Sequence, residues 1–117
     1  MTKKAVCKKI LKLKDTPEIV KTSAVNVYSI VGERVPDCNR VFVKHGGVVL
    51  LWGDMGKDFV SIRFPSDYKG NVLLTRRFKG ETYRGFADIG GVILDIKKIL
   101  NTEDTEKGKY YDTAQQE

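Results

Sequence analysis

Cationic and aromatic side chains alternate along two predicted strands that flank Gly80 and Glu81, and this pattern could bind an anion. If those two residues form the turn, Arg77 lies directly opposite Arg84 on one face of the sheet. Directly opposed like charges destabilise a sheet by roughly several tenths of a kcal/mol, so we interpret this face as one that an anion completes. The candidate binding residues, including a neighbouring strand and the lysine-rich start, are Lys12, Lys14, Phe59, Arg63, Arg77, Lys79, Arg84 and Phe86.

Cations and aromatic rings on one sheet face are typical of proteins that bind single-stranded DNA or RNA. Arginine and lysine neutralise phosphates, and exposed rings stack on unpaired bases with little dependence on sequence. We therefore predict a nucleic-acid-binding protein that favours single strands. Two alternatives stay open: the arginines could pair with acids on ordinary solvated strands, and Phe86 could be a core residue if the register differs by one. The acids that could pair with them are Asp58, Asp67, Glu81 and Asp88.

Two other classes of function fit the sequence less well. A small protein-interaction module could dock on another protein through strand edges or through the apolar run Val48–Trp52. Asp95-Ile96-Lys97 has the acid-x-lysine spacing of many metal-dependent nucleases, but it lies in a predicted helix, where this spacing is common by chance. Gly53–Lys57 lacks the spacing of a phosphate-binding loop, and no nucleophile has a recognisable signature. We therefore expect neither an enzyme nor a bound cofactor.

Soft metal ligands are few in this chain. Cys7 and Cys38 match no zinc-binding spacing, and the single histidine, His45, lies in a predicted turn. We expect no metal site, and we expect both cysteines to be reduced and to pack like small hydrophobic residues, with one disulfide as the alternative.

The composition is that of a basic globular protein. The chain has 117 residues, of which 41% are hydrophobic and 31% charged, and its formal net charge is +6. No segment approaches the run of about 18 apolar residues that spans a bilayer. The basic start Met1–Lys4 leads into lysine-interrupted sequence, which is unlike a signal peptide. We expect a cytoplasmic protein with no membrane partner.

The net charge divides unevenly along the chain. Residues 1–100 contain nineteen basic and ten acidic side chains, whereas residues 101–117 contain five acids and two lysines. We therefore predict one β-rich domain over residues 1–100 and a polar, net acidic, flexible tail over 101–117. The tail is either a solubilising terminus or an acidic arm that competes with a polyanion for the basic domain.

Alternation and turn residues predict strands through most of the body. The first 14 residues read as a strand, since Leu11 and Leu13 alternate with lysines, with a short helix as the alternative. Apolar residues at helical spacing predict a final helix over 92–100, after a glycine pair. The further predicted strands are 23–31, a hairpin of 40–44 and 48–52 across His45–Gly47, then 59–64, 72–79 and 82–89.

These elements predict a β-rich α+β fold with one C-terminal amphipathic helix. Its five to six strands form either a curved antiparallel sheet or an OB-like, partly closed barrel. A four-strand-plus-helix unit over 40–100 fits the pattern nearly as well and would need a partner chain, which makes a homo-oligomer an open alternative.

Overall fold

The computed structural model describes residues 2–100, which form five strands and three helices in an α+β arrangement. The strands form one antiparallel sheet in the order β1-β2-β3-β4-β5, so each strand pairs with the next along the chain. The β-rich α+β class and the final helix are thereby confirmed. The elements are α1 (Lys3–Leu11), α2 (Glu18–Val31), β1 (Arg40–Lys44), β2 (Gly47–Gly53), β3 (Phe59–Phe64), β4 (Val72–Phe78), β5 (Glu81–Ala87) and α3 (Ile89–Leu100).

The sheet is open, with β1 and β5 at its two edges. Within residues 2–100 these edge strands do not pair with each other, so the OB-like barrel is wrong and the antiparallel sheet is right. The net acidic segment 101–117 lies outside the described residues.

The segment 23–31, predicted as a strand, belongs to helix α2. Its buried apolar positions include Val20, Ala24, Val27 and Val31, which recur every three or four residues, as on one face of a helix. The strand prediction is wrong. The pattern was misleading because β-branched residues also lie on the exposed side of this helix, as Ile30 does. Their alternation with small polar residues imitated a strand.

The lysine-rich start is also a helix, α1, and the strand predicted there is wrong. Thr2 caps its N-terminus, where the hydroxyl accepts a hydrogen bond from the Ala5 N–H at 3.1 Å. The buried residues of the helix are Val6 and Ile10, four positions apart, while Leu11 is half exposed. Helical spacing therefore places the lysines on the outer side.

A buried lysine joins the two N-terminal helices. Lys21 is 7% exposed, and its ammonium group donates to the carbonyls of Leu11 at 3.3 Å and Leu13 at 3.0 Å. The same group forms a salt bridge with Glu18 at 2.7 Å. Because the last carbonyls of a helix lack partners within it, Lys21 satisfies the end of α1 and fixes α2 beside it.

Two hairpins turn on residue pairs with positive φ at both positions. His45 (53°) and Gly46 (75°) join β1 to β2, and Lys79 (52°) and Gly80 (85°) join β4 to β5. Positive φ at both central residues is what a type I′ hairpin turn requires. The predicted turn His45–Gly47 was therefore one residue too long, and the predicted turn Gly80-Glu81 began one residue too late.

All three helices pack on one face of the sheet. The hydrophobic core contains buried residues of each helix, such as Ile10, Tyr28 and Ile96, together with alternate strand residues such as Leu50 and Ile62. We call this side of the sheet the covered face. The opposite side carries the remaining strand positions, and it holds most of the predicted binding residues.

Candidate nucleic-acid interface

The strand register places sixteen residues on the face opposite the helices, which we call the open face. Paired residues share a face, and so do alternate residues of one strand, so the register assigns every position. In strand order, the open face consists of Arg40, Phe42, Lys44, Gly47, Val49, Leu51, Gly53, Phe59, Ser61, Arg63, Leu73, Thr75, Arg77, Thr82, Arg84 and Phe86.

Five open-face residues are basic and none is acidic. Within residues 2–100 none of these five cations forms a salt bridge, and the ion pairs there both lie on the helix side of the sheet. Salt bridges between these cations and the nearby acids are therefore absent among the described residues. The five cations are Arg40, Lys44, Arg63, Arg77 and Arg84.

Apolar side chains form the floor of the open face. Val49, Leu51 and Phe59 are only 5%, 2% and 7% exposed, although they do not belong to the core beneath the helices. Neighbouring side chains of the same face therefore close over them. Together they line a groove of about 510 Å³, whose walls include Arg40, Arg63, Arg84, Phe42, Lys44 and Met55.

The aromatic residues of this face differ in accessibility. Phe86 is 72% exposed on the edge strand β5, so its ring is open to solvent. Phe42 lies under a cation, since the guanidinium carbon of Arg40 is 5.1 Å from its ring centroid. Phe59 was predicted to project outward, and it does, but its burial makes it part of the floor. Phe86 is therefore the ring best placed to stack on a planar ligand.

The predicted alternation of β4 and β5 is confirmed, but the predicted pairing is wrong by two residues. Arg77 pairs with Thr82, and Arg84 pairs with Thr75, so the two arginines are diagonal neighbours and do not face each other directly. A shift of two residues preserves the side on which each residue lies, because side chains alternate with a period of two. Arg77, Arg84 and Phe86 consequently share the open face as predicted.

The structure separates three predicted residues from the open face. Lys79 lies in the β4–β5 turn, where its N–H donates to the Asp58 carboxylate at 3.0 Å and its ammonium group lies 5.2 Å from the Phe78 ring centroid. Lys12 follows α1 as its C-cap, and Lys14 lies in the loop before α2. Both are exposed, and neither lines the groove.

Sequence reasoning missed the contribution of β1 to this surface. Arg40, Phe42 and Lys44 alternate on one side of that strand, which is the signal that could have identified them. The neighbouring run Val48–Trp52 is buried throughout. Its uniformly apolar sequence gives no sign that the strand beside it continues the basic face.

The carboxylate of Asp95, considered for metal-dependent catalysis, and those of Asp54 and Asp58 have structural partners. Asp95 forms a salt bridge with Arg76 at 2.5 Å on the covered face, and Asp58 accepts from the Lys79 N–H. Asp54 accepts from the Gly56 N–H at 2.8 Å and shapes the β2–β3 turn. Among residues 2–100, no three cysteine, histidine or carboxylate side chains come together as a metal site.

The two cysteines are free thiols. Cys38 is buried, and its N–H donates to the Tyr28 hydroxyl at 3.2 Å. Burial raises the pKa of the Cys38 thiol to about 11, and burial likewise raises the pKa of Tyr28. Cys38 therefore packs as a small hydrophobic residue, as predicted, and the thiol stays protonated near neutral pH.

Two further features concern other kinds of partner, namely a protein and a membrane. The run Val48–Trp52, considered as a docking surface for a protein, is buried. Across residues 2–100, none of the helices has the length and hydrophobicity of a membrane span.

Comparisons of this chain with the profiles of known protein families, with characterised proteins and with solved structures return no match. The function of the open face is therefore inferred from the residues that form it.

Proposed function

We propose that this protein binds single-stranded DNA or RNA, without strict sequence preference, across the open face of its sheet. The observation that supports the proposal most strongly is the charge of that face, where five of sixteen positions are basic and none is acidic. A phosphate backbone is the common cellular ligand that presents a matching row of negative charges.

The apolar floor and the exposed ring favour a single strand over a duplex. Unpaired bases can enter the groove above this floor, and one can stack on Phe86, whereas paired bases present only their edges. Each base stacked on an aromatic ring contributes about 1–3 kcal/mol. A groove that combines cations with apolar side chains is therefore better matched to a single strand than to a polyanion without bases.

The proposal is tested by measuring the anisotropy of a labelled oligonucleotide of about 12 nucleotides against protein and salt concentration. If all five cations contact phosphates, the logarithm of the affinity should fall with the logarithm of salt with a slope of about −3.5. The single strand should bind more tightly than a duplex of equal length, and heparin should compete less well than an unlabelled single strand.

Equal competition by heparin would reduce the open face to a general basic patch and would contradict the proposal. A protein ligand is the alternative outcome. In that case a purified partner would bind in the presence of nuclease, and oligonucleotides would not displace it.

A further inference from the structure

The groove of the open face continues beyond the ends of β3 and β4 into a smaller cavity. This cavity has a volume of about 370 Å³, which is within the range of sites that bind small molecules. Arg63 and Leu73 line both cavities, so a strand in the main groove would lead into the smaller one. The lining residues are Arg63, Pro65, Asp67, Lys69, Asn71, Leu73 and Phe86.

One wall of the cavity is an aromatic platform. Phe86 pairs with Leu73 across β4 and β5, and 72% of its surface is exposed. No other phenylalanine, tyrosine or tryptophan among residues 2–100 is as exposed; Tyr83, the next, is 46% exposed and lies on the covered face. An exposed ring beside a cavity of this size offers a stacking surface for one planar base.

Two cations stand in the same cavity without intramolecular partners. Within residues 2–100, neither Arg63 nor Lys69 forms a hydrogen bond or a salt bridge through its side chain. Arg84 lies two residues before Phe86 on the same face. A phosphate that adjoins a base on Phe86 would therefore have unpaired cations within the same cavity or beside it.

Asp67 is the feature that phosphate binding does not explain. It lines the cavity with Arg63 and Lys69 but forms no salt bridge with either, and its carboxylate has no donor among residues 2–100. A carboxylate repels phosphate, so it weakens a site that binds only a backbone. It accepts hydrogen bonds and donates none, so it favours a base edge that presents donors.

Guanine is the base whose edge fits a carboxylate best. Its N1–H and N2 amino groups are adjacent donors, whereas adenine, cytosine and thymine each place an acceptor beside their donor. Asn71 supplies an amide N–H in the same cavity, which could donate to the guanine O6. The donor and acceptor groups of the cavity thus complement one base.

We propose, on the basis of the proposed function, that this cavity is a guanine-selective subsite at one end of the groove. The base stacks on Phe86, its N1–H and N2 amino groups donate to Asp67, and its O6 accepts from Asn71. The adjoining phosphate binds Arg63 and Lys69. The rest of the open face binds its strand without selecting bases.

The test compares thymidine oligonucleotides of about 12 nucleotides that carry one central guanosine, inosine or adenosine. Inosine lacks the N2 amino group and so loses one of the two donors to Asp67. The wild-type chain should bind the guanosine strand about tenfold more tightly than the inosine strand, which corresponds to the loss of one charge-assisted hydrogen bond.

The variant Asp67→Asn removes the second acceptor from this position, so the ratio of the guanosine to the inosine affinity should fall to about one. The affinity for a strand of thymidine alone should rise, because a negative charge leaves the cavity, so the ratio of the guanosine to the inosine affinity is the informative quantity. Glu81→Gln is the matched control, since Glu81 is exposed beside the β4–β5 turn and lies outside this cavity. This control should retain the wild-type ratio.

Equal wild-type affinity for the three strands would overturn the guanine subsite and leave single-strand binding standing. Preserved selectivity in Asp67→Asn would overturn it as well. Failure of every strand, including thymidine alone, to bind would contradict both the subsite and the proposed function.

Discussion

Arg76 and Arg77 are adjacent in β4, yet only Arg76 has an acidic partner within residues 2–100. Its guanidinium contacts the Asp95 carboxylate at 2.5 Å and lies 4.9 Å from the Tyr83 ring centroid on the covered face. Arg77 projects from the open face and forms no salt bridge there. The sheet thus separates a cation that holds α3 in place from a cation that is available to a ligand.

This separation predicts opposite effects for two neighbouring substitutions. Arg76→Ala should lower the free energy of unfolding by roughly 1–2 kcal/mol, because the partly buried Asp95 loses its charge-assisted hydrogen bond. Arg77→Ala should leave the unfolding midpoint nearly unchanged and should reduce the salt slope of oligonucleotide binding by about 0.7. Chemical denaturation and anisotropy measure the two effects, and similar losses of stability in both variants would contradict the separation.

The burial of Lys21 predicts a structural role for this side chain. In Lys21→Met the aliphatic stem is kept, but the carbonyls of Leu11 and Leu13 lose their donor, which should cost about 1–3 kcal/mol of unfolding free energy. Lys97→Met is the matched control, because Lys97 is exposed on α3 and no partner is present among residues 2–100. Equal denaturation midpoints for the two variants would show that Lys21 does not cap α1.

Gly47 allows β2 to pass close to β3 at the edge of the groove. A Cβ atom there would collide with the Phe64 carbonyl oxygen and would lie 3.1 Å from the Cγ of Arg63. Gly47→Ala should therefore destabilise the fold by about 1–3 kcal/mol, as overpacking does. Gly56→Ala is the control, because its added Cβ meets only the Asp54 carboxylate at 3.4 Å. In thermal melts of the two variants, Gly56→Ala should lower the midpoint much less than Gly47→Ala.

The raised pKa of Cys38 predicts a loss of stability in alkaline solution. The thiol of the unfolded chain ionises near its ordinary pKa of 9.0, whereas the folded thiol ionises near 11, so the folded state retains its proton over this range. The contribution of this group is fully present below pH 9.0 and is lost as the pH rises to about 11.

The wild-type unfolding free energy should fall over that range by up to about 2 kcal/mol more than that of Cys38→Ala. The comparison subtracts the titration of the lysines and tyrosines that the two proteins share. Parallel curves of unfolding free energy against pH would show that Cys38 is not buried as described.

The sheet could be predicted from the sequence far better than the N-terminal helices. From Arg40 onward, glycine-containing turns separate the strands, the apolar run of β2 marks a strand buried on both faces, and alternation marks the faces of β4 and β5. A two-residue error in the pairing at Gly80 left those faces unchanged. In α2 the helical periodicity of apolar residues was weaker, because the β-branched residues Val25 and Ile30 lie on its less buried sides. Local propensity favoured a strand there, and tertiary packing of Val20, Ala24 and Val27 overrode it.

The candidate site could be predicted only strand by strand. Arg63, Arg77 and Arg84 follow from alternation alone, but the position of Arg40 and Lys44 on the same surface depends on the order of the strands. Lys12 and Lys14 were predicted to bind because lysines are dense near the start of the chain. That density does not indicate on which side of the sheet a residue lies. Their contribution to binding stays a prediction, and neither residue lines the groove.

Binding of a labelled single strand by two charge-matched double variants tests the central claim most directly. Arg77→Glu with Arg84→Glu reverses two cations of the open face, and Lys4→Glu with Lys8→Glu reverses two exposed lysines of α1. Both variants lower the net charge by the same amount, so they separate a specific face from total charge. We predict that the first variant loses retention of the oligonucleotide at low salt with an unchanged thermal midpoint, while the second retains most of it. Equal loss in both variants, or unchanged retention in the first, would contradict binding on the open face.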